Sequence, residues 1–145
     1  MKDYVNFLKK YLHFNEEALN WCLAFTVYLH VADDLVDNPV VDKQYVTKFI
    51  EIAPKIFTAP FYVRNSETLY PLICSGSLDY YVSVMFEGSK ELWKKERSDT
   101  LRSSINNVFL AIIEIVAGYD AKRQAALELQ EISYYTHHDE NGSPI

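Results

Sequence analysis

Apolar residues recur at helical spacing along most of the chain. Tyr4, Phe7, Leu8, Tyr11 and Leu12 fall at i, i+3, i+4, i+7 and i+8, which predicts a short amphipathic helix over 4–12. Asn15 is a good N-cap, with Glu16 and Glu17 facing the positive end of the helix dipole. The helix it opens is expected from about Glu16 to Asp37, where Asn38-Pro39 stops it. It is apolar nearly all round, through Trp21, Cys22, Leu23, Ala24, Phe25, Val27, Tyr28 and Leu29, so it is expected at the centre of the fold. Asp42 caps a third segment carrying Tyr45, Val46, Phe49, Ile50 and Ala53 on one face, which Pro54 bends or ends.

Residues 58–66 read as a connection. Ser66-Glu67 or Tyr70-Pro71 opens the next helix, through Leu72, Leu78, Tyr81, Val82 and Met85, with Gly88 as an interruption. Ser98-Asp99 caps a further helix that ends at Gly118, a plausible C′ residue. Asp120 caps the last one, about Ala121 to Tyr135. Tyr80 to Met85 is β-branched and aromatic enough to be ambiguous, but no stretch alternates convincingly as a strand. The expectation is an all-α fold. It is a single compact bundle of five or six mostly antiparallel helices over residues 1–136, with 137–145 as a frayed tail.

Composition narrows the class. At 145 residues, 49% apolar and 23% charged, with only four glycines and five prolines, the chain is neither disordered nor low-complexity. The formal charge is −6, a sign that disfavours nucleic acid. The densest basic run, Lys90 to Arg97, interleaves acids and reads as a solvated, ion-paired helix face. Cys22 and Cys74 lie in apolar stretches without a CxxC partner and read as two buried free thiols of a reducing compartment. Lys9 and Lys10 interrupt any signal-peptide core, and His30, Asp33 and Asp34 interrupt the most apolar window. The expected location is the cytoplasm, of a cell or of an infected host, without membrane attachment. The aromatics (11 Tyr, 8 Phe) divide into two sets. Trp21, Phe25, Tyr28, Phe49, Phe57, Tyr81, Phe86 and Phe109 read mostly as core. Tyr62, Tyr70, Tyr80, Tyr119, Tyr134 and Tyr135 are spare and suit a partner surface.

One motif stands apart. At about 100° per residue, Thr26, His30, Asp33, Asp34 and Asp37 share one stripe of the central helix. Carboxylates at a helix C-terminus oppose the dipole, and Asp33 and Asp37 repel each other one turn apart. One reading is a Mg²⁺ site formed by Asp33, Asp34 and Asp37, joined by Asp79 and Glu114 if their helices face the first. Catalysis there would fall to Asp34 as base, with His30 orienting a carboxylate and Arg64 contacting phosphate. The plainer reading is the wet side of each helix, with a contact from Arg64 or Lys48. No P-loop, nucleophile elbow, HExxH or Gly-rich dinucleotide turn is present.

Asp33-Asp34-Leu35-Val36-Asp37 resembles DDxxD, the first aspartate-rich motif of isoprenoid synthases, which implies Mg²⁺ and a diphosphate. The second motif of that family is incomplete: Asn106 and Glu114 are correctly spaced, but Leu110 stands where a hydroxyl belongs. The acids-around-Mg²⁺ design of the all-α nucleotide pyrophosphohydrolases is shared only in outline, since their ExxE…ExxD pattern is missing. A broader likeness, over about residues 15–135, is to small helical proteins of tailed phages and prophages. It rests on Ala32 to Asp37, on Ala59-Pro60-Phe61-Tyr62-Val63-Arg64, on Pro71-Leu72 and on Ala117-Gly118-Tyr119, with Ala32 where that pattern commonly has Trp. It implies a compact helical fold and no established activity. The expected function is therefore an accessory or protein-interaction role, with a protein partner or self-association. A Mg²⁺-dependent enzyme acting on a phosphate or diphosphate is the alternative.

Overall fold

The structure is a computed structural model that describes residues 2–138 and 141. It is all-α, with no β-strand among the described residues. The helices are α1 (Lys2–Leu12), α2 (Glu16–Asp37), α3 (Lys43–Thr58), α4 (Pro60–Glu87), α5 (Leu92–Arg102), α6 (Asn107–Ala117) and α7 (Tyr119–His137). A 3₁₀ turn over Ser104–Asn106 joins α5 to α6, so Leu92–Ala117 is one helix broken once and the fold has six. The chain divides into two compact units, residues 1–66 and 67–145. Of the residues expected as a tail, His137 is the last residue of α7, and residues 139, 140 and 142–145 lie outside the described residues.

In the first unit α2 is the organising element. The Asn15 side chain accepts from the Ala18 amide at 3.0 Å, and the amide of Asn38 closes the other end on the Asp34 carbonyl at 3.1 Å. Asp42 caps α3 through the Gln44 amide at 2.8 Å. Two departures from the sequence reading concern proline. Pro54 lies inside α3, and the segment 58–66, expected as a connection, is helical from Pro60. Pro54 and Pro71 are both exposed, as are Ile50 and Glu67, whose carbonyls lose their i+4 donors, so both prolines sit on the solvent side of their helices. The break between α3 and α4 is the single extended residue Ala59, held so by Pro60. Pro60 also cannot donate to the Ile56 carbonyl; the buried Trp21 indole does so instead, at 2.9 Å.

Around that bond the rings form a continuous stack. Trp21 lies on Phe25 (4.9 Å) and Tyr62 (5.9 Å), Phe25 on Tyr28 (5.8 Å), and Tyr28 meets Phe49 (5.4 Å) and Phe57 (5.7 Å). Tyr62, expected to be spare, is therefore a core residue. Phe7, Leu8 and Leu12 of α1 complete this core.

In the second unit α6 supplies most of the core, with Val108 to Ile113 buried, against Ala125 and Leu129 of α7 and Leu69 and Ile73 of α4. The stretch Leu92–Ala117 is long and apolar enough to cross a membrane by length and composition, but its apolar half is this core helix. α4 meets the 3₁₀ turn closely at Gly76, where a Cβ would stand 2.7–2.8 Å from Ile105. Ser98, read as a helix cap, instead lies within α5 and donates to the Ser83 carbonyl at 2.7 Å. Gly118 does end α6, with φ 93°. The last helix opens at Tyr119, with Asp120 in its first turn rather than at its cap. Tyr81, expected in the core, points outward and is 60% exposed, and Cys74, expected to be buried like Cys22, is also at the surface.

Candidate functional site

The first unit carries a groove between α2 and α3, closed at one end by Pro60 and Phe61. Its volume is about 620 Å³. On α2 it is lined by Glu17, Asn20, Trp21, Ala24, Val27 and Val31, which recur every three or four residues and so form one face. From Glu17 to Val31 that face is about 21 Å long. Its middle has the most room, because Ala24 carries only a methyl group between the bulkier Trp21 and Val27. On α3 the inner wall is Ile52 and Ile56, and the outer wall is Lys48, Glu51 and Lys55. The result is an apolar floor with a charged rim. Lys48 and Lys55 stand two turns apart on one side. On the other, Glu17 is already engaged, because the Arg64 guanidinium donates to its carboxylate.

The floor is held rigidly. Trp21 is fixed by its bond to Ile56 and by stacking on Phe25 and Tyr62, so the groove is preformed. Cys22 and Thr26 lie on the buried side of α2, where the Thr26 hydroxyl donates to the Cys22 carbonyl at 2.8 Å. Burial pushes the Cys22 thiol and the Tyr28 phenol above their ordinary ranges, because the charged forms would lose solvation.

The acidic residues singled out from the sequence are arranged differently. Asp33 and Asp34 are half-buried and Asp37 and His30 are exposed, all on the last two turns of α2, and the last turn carries no basic residue. Asp79 and Glu114 belong to the second unit, and each has a partner there. The Ser104 hydroxyl donates to the Asp79 carboxylate at 2.6 Å, and the Lys122 ammonium donates to that of Glu114 at 2.6 Å. Among the described residues no three His, Cys, Asp or Glu side chains gather in a way that could hold a metal ion. Arg64, weighed as a phosphate contact, has Glu17 as its partner.

Comparison with protein-family models, with curated proteins and with solved structures finds no match. The groove is not legible in the sequence. α2 is apolar on every side, so its pattern does not say which face stays uncovered. The one available signal is Ala24 at the centre of a row of large residues.

Proposed function

We propose that this protein is a noncatalytic protein-interaction module whose α2–α3 groove takes an amphipathic helix from a partner protein. The observation that carries the reading is the groove itself, about 21 Å long from Glu17 to Val31, with an apolar floor from Trp21 onward and charged residues on its rim. A helix of roughly 14 residues matches that length, and its apolar i, i+3, i+4, i+7 edge matches the floor. Lys48 and Lys55 favour acidic residues beside that edge. A small cytoplasmic accessory protein of the phage type that the sequence resembles would use such a groove to recruit another chain.

The test uses a fluorescently labelled 14-residue peptide with Leu at i, i+3, i+4, i+7 spacing and Glu on its flanks. Saturable binding is expected by anisotropy, weakened at least about tenfold by Ala24→Arg, which fills the floor and corresponds to about 1.4 kcal/mol. Lys48→Glu with Lys55→Glu is expected to weaken this peptide while sparing one with Gln flanks. Absence of saturable binding, or equal binding by Ala24→Arg, refutes the proposal.

A further inference from the structure

The α2–α3 groove is lined by four charged residues, Glu17 on α2 and Lys48, Glu51 and Lys55 on α3. The two acids and the two lysines balance, so on their own they give the rim no net charge. The acids differ in their surroundings. Glu51 comes three residues after Lys48 and four before Lys55, so a lysine stands about one helical turn to either side of it. Glu17 has no such neighbour, because α2 carries no Lys or Arg and the residue before Glu17 is another acid, Glu16. The cation that answers Glu17 comes from α4. Pro60 and Phe61 close this end of the groove, and Arg64 follows them by one turn on the same side of the helix. Its guanidinium donates to the Glu17 carboxylate. We infer that Arg64, by masking Glu17, is the residue that makes the groove selective for an acidic partner helix, an assignment that rests on the groove reading above.

With Glu17 masked, the rim is left with Lys48 and Lys55 against Glu51, an excess of one positive charge. That excess matters because the chain as a whole is at −6, so most of its surface repels an acidic partner. Without Arg64 the excess is gone and a bare carboxylate stands at the closed end. Lys55 stands at that end too, since the Trp21 bond to Ile56 holds this part of α2 against that part of α3. A partner carboxylate drawn to Lys55 would then face the Glu17 carboxylate across the groove. Arginine suits the masking role. Its guanidinium stays charged at any physiological pH, and its planar fork holds a carboxylate while the rest of the group stays in water. Repulsion between two unit charges about 6 Å apart in water lowers affinity about threefold, and salt screens it.

Fluorescence anisotropy at low salt tests this with two labelled 14-residue peptides, one with Glu beside its Leu edge and one with Gln there. Arg64→Ala is expected to weaken the Glu peptide about threefold and to leave the Gln peptide unchanged. Adding Glu17→Gln to Arg64→Ala should restore the wild-type affinity for the Glu peptide, because no carboxylate is left to mask. Both side chains are more than half exposed, at 58% and 52%, so the pair adds little to stability and both variants should melt with the wild type. Equal binding of the Glu peptide by Arg64→Ala and the wild type overturns the inference and leaves the groove reading standing. An equal loss for both peptides overturns it as well, since Arg64 would then act on the shape of the groove. So does a loss that Glu17→Gln fails to restore, since Arg64 would then touch the partner directly. A wild type that binds neither peptide refutes the groove reading itself, and the role of Arg64 with it.

Discussion

Replacing Gly76 by Ala sets two effects of opposite sign against each other. Gly76 is in the interior of α4, where Ala is worth about 0.5–1 kcal/mol over Gly from backbone entropy alone. The added methyl, however, would stand 2.7 Å from Ile105 Cδ1, 2.8 Å from its Cα and 3.2 Å from its Cβ. Ordinary separations between non-bonded carbons are about 3.5–4.0 Å. The Cδ1 atom could rotate away, but the Cα is main chain, so α4 and the 3₁₀ turn must separate by about 1 Å. The Asp79–Ser104 and Ser83–Ser98 bonds both lie along this seam and would lengthen with it. Overpacking of this kind costs about 1–3 kcal/mol, and each weakened hydrogen bond adds up to about 1 kcal/mol. The net expectation is a loss of about 1–2 kcal/mol. Urea unfolding followed by far-UV circular dichroism, with all variants at one protein concentration, measures it. Gly88→Ala is the control, since nothing lies within 4 Å of its added carbon, and it should be neutral or slightly stabilising. Ile105→Val in the Gly76→Ala background should recover only a minor part, because the clash with the main chain of residue 105 remains. A Gly76→Ala variant as stable as the wild type, or more so, would refute the reasoning.

Further outcomes follow from the same structure. Under native conditions near pH 8 a thiol reagent should modify Cys74 alone, with Cys22 reacting only after unfolding, since it is buried and its thiol is held protonated. Cys22 and Tyr28 both keep protons in the folded state that the unfolded chain releases above about pH 9, so stability should fall as pH rises from there. Asp34→Asn removes a carboxylate from the negative end of α2 and should raise stability by about 0.3–1 kcal/mol. Millimolar Mg²⁺ should leave the wild-type melting temperature unchanged; a rise abolished by Asp33→Asn with Asp37→Asn would favour the metal reading of the acidic helix end.

The sequence is most informative where a polar signal bounds an apolar run. α2 begins after Asn15 and ends before Asn38-Pro39, as its capping chemistry requires, and Gly118 ends α6 for the same kind of reason. It is least informative at the prolines. Pro54 reads as bending or ending its helix and Tyr70-Pro71 as one possible opening of the next, yet both prolines are exposed and lie inside helices that continue past them. Taking 58–66 as a connection leaves Tyr62 spare, although its ring is stacked on Trp21. Ser98-Asp99 reads as a cap because the residue types fit, but the Ser98 hydroxyl is used across to α4. Tyr81 reads as inward because α4 is apolar on several sides, and periodicity then gives no phase. The phase comes from Gly76, whose missing side chain is what lets α4 close on Ile105.

The candidate site shows the same limit. The stripe of His30, Asp33, Asp34 and Asp37 is conspicuous as sequence because it is polar in an apolar helix. The groove one face away is inconspicuous because every residue in its floor looks like core. Which of the two carries function depends on which surface another molecule meets, and apolar periodicity does not distinguish a covered face from an uncovered one.

The most direct measurement is the indole N–H resonance of Trp21 in a ¹H–¹⁵N correlation spectrum during titration with the Leu/Glu peptide. The chain has two tryptophans, so Trp93→Phe assigns the pair of indole peaks. Trp21 forms the groove floor and donates to Ile56, whereas Trp93 lies in the other unit. A groove-bound helix should move the Trp21 peak saturably, leave that of Trp93 in place, and lose its effect in Ala24→Arg. A Trp21 peak that stays still at saturating peptide, or one that moves equally in Ala24→Arg, would contradict the account.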